Sequence, residues 1–377
     1  MKIGILTLPL HTNFGGVLQA YSLQTILERM GHEVIVLDKD RDVRLSLFRQ
    51  SLSYIKYLCL KFIFGYNASY KSPQRINQER SEREHNIRIF INKYIHTRVV
   101  RAIDSFAFNE MDAVFVGSDQ VWRPFYFTTQ WETNIREAYL YSLKDSFVKR
   151  IAYATSFGTN DWEYSKKETI ECSNLLSIFN AVSVREDTAI TLCEKMLGYE
   201  KVYQVLDPTF LLAKEDYVNL VEMNNTPKSQ GNLMCYFIDM TLEKQQLLSS
   251  IAKGRALCPF HVNVQENDLT LSNIERTQPS IEQWLRGFID AEFVITDSFH
   301  ACVFSIIFNK PFVVIGNAKR GMARYMSLLS LFSLRSHLIC SIEEYNPEFN
   351  YEIGKNVNDN LERLRSFSLD FIRQSLN

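Results

Sequence analysis

The chain has 377 residues, 46% hydrophobic and 23% charged, an ordinary balance for a globular protein with room for two domains of roughly 100–200 residues each. Its 42 basic and 43 acidic residues nearly cancel, which excludes the broad cationic field that nucleic-acid binding needs. Seven cysteines lack CxxC pairs and metal-type spacing, no segment reaches the ~18–20 apolar residues of a bilayer span, and no cleavage-type site follows the apolar start, so the chain reads as cytoplasmic, with reduced thiols and no metal centre.

KIGILTL, the opening segment, is apolar and of strand length. The loop PLHTNFGG follows. VLQAYSLQTILERMG then places Leu18, Tyr21, Leu23, Ile26, Leu27 and Met30 at helical spacing, with Gly31 as the stop. EVIVLD is the next strand, and strand, helix and strand within about 37 residues predict a parallel pair with a right-handed crossover. Residues 41–110 are rich in Arg, Lys, Tyr and Phe and show no strand pattern, so they read as a helical insertion. Within it SYIKYLCLKFIFGY is strongly apolar but carries Lys56 and Lys61. It can rest on a membrane surface, or pack on its own domain, the commoner source of helical stability.

The strand rhythm resumes with DAVFVG (112–117), RIAYATS (150–156), AVSVRE (181–186) and VYQVLDP (202–208), with helical patterns near 166–178 and 187–197. These complete a doubly wound N-terminal domain, 1–208, ending at Asp207-Pro208. After the polar stretch NNTPKSQGN (224–232), the segments LMCYFID, LCPFHVN, EFVITD and PFVVIG alternate with helices near 242–252, 280–290, 299–309 and 322–332. They predict a second Rossmann-like domain, 209–377, closed by the amphipathic helix NLERLRSFSLDFIRQSL. The fold class is therefore α/β, two doubly wound Rossmann-like domains facing a cleft.

In open α/β sheets, ligands bind beyond the carboxyl ends of the strands, so the polar residues there are the candidates. After the first strand come Asn13, Gly15 and Gly16, where a helix N-terminus can meet an anion or Asn13 can simply cap the helix. After DAVFVG come Asp119, Gln120 and Trp122, a carboxylate, an amide and an aromatic face that suit a sugar; a capped turn with a packed indole explains them equally. Arg185 ends AVSVRE, and its planar fork can grip phosphate or carboxylate or form an ion pair within its domain. EFVITD runs into Asp297 and Ser298, either of which can cap the next helix. Neither needs His300 in its first turn, which can be a satisfied core residue or an imidazole that titrates near neutrality beside amides that attract anions. Lys319, Arg320 and Arg324 follow the next strand and either add cations at the same mouth or form a solvated basic edge.

Taken in order, NFGGVLQAYSLQTIL, FVGSDQVW, YATSFG, VSVRED, VLDPTFLL, VITDSFHACVFSIIFNKPFVVI and RGMARYMSLL resemble the polysaccharide pyruvyl transferase family, over most of the chain from residue 1 to about 335. The resemblance implies a GT-B-like fold. It also implies a transferase that moves the enolpyruvyl unit of phosphoenolpyruvate onto two hydroxyls of a sugar, free or lipid-linked, forming a cyclic pyruvate ketal. It assigns catalysis to His300 and Arg185 and needs no cofactor. Some members carry Arg-x-His where this chain has Ser298-Phe299-His300, so the donor's anion falls to Ser298, Lys319, Arg320 or Arg324. The acceptor would meet Asn13, Gly15, Gly16, Asp119, Gln120 and Trp122. Two rival readings stay open. One is a GT-B glycosyltransferase using a nucleotide sugar, with Glu282 on the ribose. The other is a scaffold of the same fold without catalysis.

Overall fold

The computed structural model describes residues 1–64, 70–265, 270–316 and 321–377. β1 (Lys2–Leu6), α1 (Phe14–Arg29) and β2 (Glu33–Lys39) form the expected crossover, with β1 and β2 parallel. The insertion holds α2 (Leu47–Phe64) and α3 (Pro73–Tyr94). It is not wholly helical as expected, because it ends in β3 (Thr97–Val100), which pairs with β2 as an edge strand. Four β-branched-rich residues are enough for an edge but too few to show a period of two.

β4 (Ala113–Val116), α4 (Pro124–Trp131), β5 (Lys149–Thr155), α5 (Lys166–Leu176), β6 (Ala181–Val184), α6 (Asp187–Leu197) and β7 (Val202–Gln204) complete a seven-stranded parallel sheet in the order β3-β2-β1-β4-β5-β6-β7. α7 (Lys214–Met223) leads into the second unit. There β8 (Leu233–Tyr236), α8 (Leu242–Arg255), β9 (Pro259–His261), α9 (Ile281–Asp290), β10 (Phe293–Thr296), α10 (Phe299–Ile307), β11 (Phe312–Ile315), α11 (Ala323–Leu331) and β12 (Leu338–Ile339) build a five-stranded parallel sheet, order β12-β11-β10-β8-β9.

The protein is thus an α/β molecule of two doubly wound domains, GT-B-like in arrangement. In the first sheet the strand order reverses between β1 and β4, and in the second between β8 and β10. At such points neighbouring connections leave to opposite faces and open a crevice.

The two domains share one apolar cluster. Phe14, at the start of α1, stacks on Trp284 of α9 with ring centroids 5.6 Å apart. α12 (Lys355–Leu376) ties the halves together: Asn360 donates to Leu331 O, while Ser368 Oγ accepts from the Leu206 N–H at 3.0 Å and Arg365 donates to Phe210 O. α2 behaves otherwise. None of its described side chains is buried, so it does not pack into its own domain as the commoner fate would have it.

Candidate active site

A cavity of about 290 Å³ lies where the two reversal points face each other. The first domain supplies His11, Thr12, Asn13 and Phe14 after β1, Asp119 and Gln120 after β4, and Tyr126 and Gln130 of α4. From the second come Tyr236 and Ile238 after β8, Asn263, Val264, Gln265 and Gln278 after β9, Ser298, Phe299 and His300 after β10, and Arg324 and Tyr325 of α11. Six carboxamides therefore line one space. Such groups both donate and accept, as sugar hydroxyls require. Some are already committed to the wall: Asn263 and Gln265 each donate to Phe237 O at 2.8 Å, and Gln278 closes on both backbone groups of Val264.

His300 sits deep in this space, 6% exposed. Its Nε2 lies 3.6 Å from Asp207 Oδ2, an ion-pair contact rather than a hydrogen bond. Across the domain boundary the ring packs on Gly15, where a Cβ would fall 2.0 Å from its Cγ. A glycine is required at that position for the imidazole to stand there, since a Cβ would also fall 2.1 Å from its Nδ1. Gly15 and Gly16 are not among the residues lining the cavity. They act through fit, and the Gly16 N–H donates to the capping Asn13 Oδ1 at 3.1 Å.

Asp207 gathers the buried polar groups behind His300. Its Oδ2 takes Arg185 Nη1 at 2.6 Å and Ser118 Oγ at 3.0 Å, and its Oδ1 takes Thr209 Oγ1 at 2.7 Å. Burial works against its charge, but His300 and the Arg185 guanidinium outweigh that and hold the carboxyl well below the usual carboxylate range. Arg185 is accordingly an ion-pair residue here and not a wall of the cavity. Its guanidinium lies 4.3 Å from the ring of Phe299, which does line the cavity. The contact with Asp207 is the ion pair within its domain that the sequence also allowed for Arg185.

The polar cluster ending β10 divides in two. Asp297 is fully buried and structural: it accepts from Lys244 Nζ at 2.6 Å and from the Ile238 N–H at 2.7 Å. Ser298 caps α10, its Oγ 3.4 Å from the Ala301 N–H, and it lines the cavity beside His300. Arg324, in the first turn of α11, also lines the cavity. Burial, reinforced by the charge of Arg185, pushes its guanidinium pKa down, so an anion arriving nearby would be held. Lys319 and Arg320 lie outside the described residues.

On the first-domain side, Asp119 adopts φ 70°, a left-handed conformation that Asp tolerates better than most residues. That turn lets its Oδ2 take Asn13 Nδ2 at 3.2 Å. Gln120 points where a Cβ on Gly158 would stand 1.9 Å from its Oε1. Trp122 departs from expectation. Its indole is fully buried, stacks on Tyr139 at 4.9 Å and donates to Ala138 O at 3.2 Å, so it is core and covers no sugar ring. Glu282 is buried in the first turn of α9 and is not a lining residue of the cavity.

The family model of polysaccharide pyruvyl transferases matches residues 13–319, well over half of the chain. The chain belongs to the polysaccharide pyruvyl transferase family. As a member of that family it is a transferase acting in polysaccharide pyruvylation. No curated protein matches it significantly. Among solved structures this family member is similar to a UDP-GlcNAc 2-epimerase from Neisseria meningitidis, at 10% identity, 100% and 94% coverage of this and that chain, and TM-score 0.47. It is also similar to a UDP-GlcNAc 2-epimerase from Methanocaldococcus jannaschii (12% identity, 96% and 100% coverage, TM-score 0.48) and to ADP-heptose heptosyltransferase II of E. coli (9% identity, 96% and 99% coverage, TM-score 0.38).

Two residues of this pyruvyl transferase family member escaped the sequence reading. Asp207 was visible as the end of a strand but looked like a domain boundary. His11 sits in the first loop and faces the same cavity as His300. Burial, with Arg41 and Arg88 nearby, lowers its pKa to about 4. It is therefore a neutral imidazole at ordinary pH, able to donate or accept a hydrogen bond.

Proposed function

We propose that this chain moves the enolpyruvyl unit of phosphoenolpyruvate onto two hydroxyls of a sugar in a polysaccharide or glycan precursor. His300 serves as the acid and base. The methylene carbon of the donor takes a proton and C2 becomes electrophilic. One sugar hydroxyl adds to C2, its proton passing to the imidazole. The second hydroxyl then displaces phosphate, which leaves with the remaining proton, and the cyclic ketal closes. Asp207 faces the ring at 3.6 Å and positions it, and Arg185 acts through Asp207 as a positioning residue. Arg324, the Ser298 hydroxyl and the first amides of α10 meet the donor's phosphate and carboxylate. Asn13, Asp119 and Gln120 hold the acceptor. No cofactor takes part.

The observation that carries this reading is the placement of His300. It lies between a buried carboxylate and a carboxamide-lined cavity, on a helix N-terminus with Arg324 beside it. Fixed cations and a poised acid–base group are what an enol ester bearing two anions demands. The test incubates the protein with phosphoenolpyruvate and a panel of hexose and N-acetylhexosamine glycosides, reading phosphate release and product mass. Acceptor-dependent phosphate release with a pyruvylated product is expected. No donor consumption, with turnover of a nucleotide sugar instead, would move the chain to the glycosyltransferase reading.

A further inference from the structure

α2 presents an apolar stripe to solvent. Phe48, Leu52, Ile55, Cys59 and Phe62 recur at steps of four and three, so they share one face of the helix. That face is open: Phe48 is 73% exposed, Phe62 78% and the adjoining Ile63 70%. The helix's other side meets Tyr70, whose hydroxyl donates to Gln50 O and whose ring meets that of Tyr54 at 5.0 Å. The charges on α2 are all of one sign. Arg49 and Lys56, seven apart, run along one border of the stripe, while Lys61, its Nζ 5.9 Å from the Tyr57 ring centre, stands on the far side. The sequence holds no Asp or Glu from Val43 to Gln78.

We propose that α2 is an in-plane membrane helix that docks this chain on an anionic lipid surface. Its apolar stripe enters the acyl boundary while the flanking cations reach up to phosphate headgroups, the arrangement of interfacial amphipathic helices. The charge pattern selects this occupant over a second copy of the chain, since pairing two such stripes would bring their like-charged borders together. Spanning is not at issue, because no described helix is long and apolar enough to cross a membrane.

The base of α2 is also fixed to the frame of the cavity. The Val43 N–H donates to Asn77 of α3, and Arg88 of the same helix donates to Leu10 O, next to His11. A docked chain would hold its cavity close to sugars carried on lipids at that surface. This extension alone rests on the proposed function.

The test mixes the full chain with vesicles of phosphatidylcholine, with or without a third of phosphatidylglycerol, and reads the bound fraction by flotation. Binding to the anionic vesicles at least tenfold stronger than to the neutral ones is expected. Arg49→Gln/Lys56→Gln/Lys61→Gln should weaken it by about a hundredfold, since each cation near such a surface contributes roughly a factor of five. Phe48→Ser/Ile55→Ser/Phe62→Ser should abolish it with the circular dichroism spectrum unchanged. Absence of flotation with anionic vesicles overturns the proposal. So does a dimer, seen by light scattering, that the apolar variant dissolves while vesicles are ignored. Neither outcome touches the phosphate-release assay on soluble acceptors, so failure of the docking and failure of the chemistry are read separately.

Discussion

α10 and α2 are both rich in Phe and Ile with Ser and Cys between, yet all nine residues of α10 are buried and no described side chain of α2 is. α10 lies between the second sheet and the first domain, and its N-terminus delivers His300 onto Gly15. α2 leaves the edge of the first sheet and turns its apolar face outward. Apolar content therefore does not say where a helix goes. The cations do: α10 has none, while α2 carries three around its circumference, and a helix so charged cannot be enclosed without stranding a charge.

The largest effect should come from His300, buried at the N-terminus of α10. His300→Ala should lower kcat about 10²- to 10⁴-fold, the range for a lost general acid–base group. Gly15→Ala reaches the same ring from the other domain. Its Cβ would sit 2.0 Å from the His300 Cγ, so it should cut turnover at least tenfold with His300 intact. Rates within a factor of three of wild type in both variants would make His300 a packing residue.

The next contrast is in stability. Phe304 of α10 is fully buried against Trp284 and Tyr217, and Phe304→Ala should cost about 3–5 kcal/mol. Phe62→Ala, at an exposed position of equal chemistry, should shift stability by less than about 0.5 kcal/mol. Denaturant midpoints measure both. Similar losses in the two variants would mean that α2 is packed in solution and would end the comparison.

Arg185→Met is expected to fall in the same range as the core variant, about 3–5 kcal/mol, because it strands the buried Asp207 carboxylate. Arg324→Gln should change stability less and raise KM for phosphoenolpyruvate, since Arg324 lines the cavity and Arg185 does not. The reverse pattern would return the donor clamp to Arg185.

Where the sequence was legible, two signals agreed. At β1, α1 and β2, strand length, helical spacing and Gly31 all pointed one way, and the same holds for β8 to β11 of the second sheet, whereas the two residues of β12 are too few to show a pattern. The rule that function follows the carboxyl ends of strands found Asn13, Asp119, Gln120, Ser298 and His300, all of which line the cavity. It could not choose among partners distant in the chain. Trp122 meets Tyr139 across a turn with no period, so indole core and sugar platform look alike from the sequence. Arg185 and Asp207 stand 22 residues apart on neighbouring connections, and only the fold brings them to 2.6 Å. The exposure of α2 was equally hidden, because an amphipathic pattern says that a face must be covered without saying by what.

The smallest expected effect separates the packed core from α2 by pH. His337 is buried, with its Nδ1 2.9 Å from Phe312 O, and burial lowers its pKa from the ordinary 6.5 to about 4. His11 is shifted to about 4 as well. Both are neutral in the fold, while the unfolded chain takes up their protons below pH 6.5. Stability attributable to them is therefore full above pH 6.5 and is lost progressively as the pH falls towards 4. Going from pH 6.5 to 5.5 should cost about 1 kcal/mol for His337 and less for the half-buried His11. His337→Gln should flatten the corresponding part of the stability–pH curve, read from denaturant midpoints at each pH. α2 holds no histidine and its charges are Arg and Lys, which do not titrate in this window. Vesicle binding should stay constant from pH 6.5 to 5.5 while the fold that carries α2 loses stability. Binding that falls in step with the denaturant midpoint would show that the docking surface depends on the packed core rather than standing on the charges and apolar stripe of α2 itself.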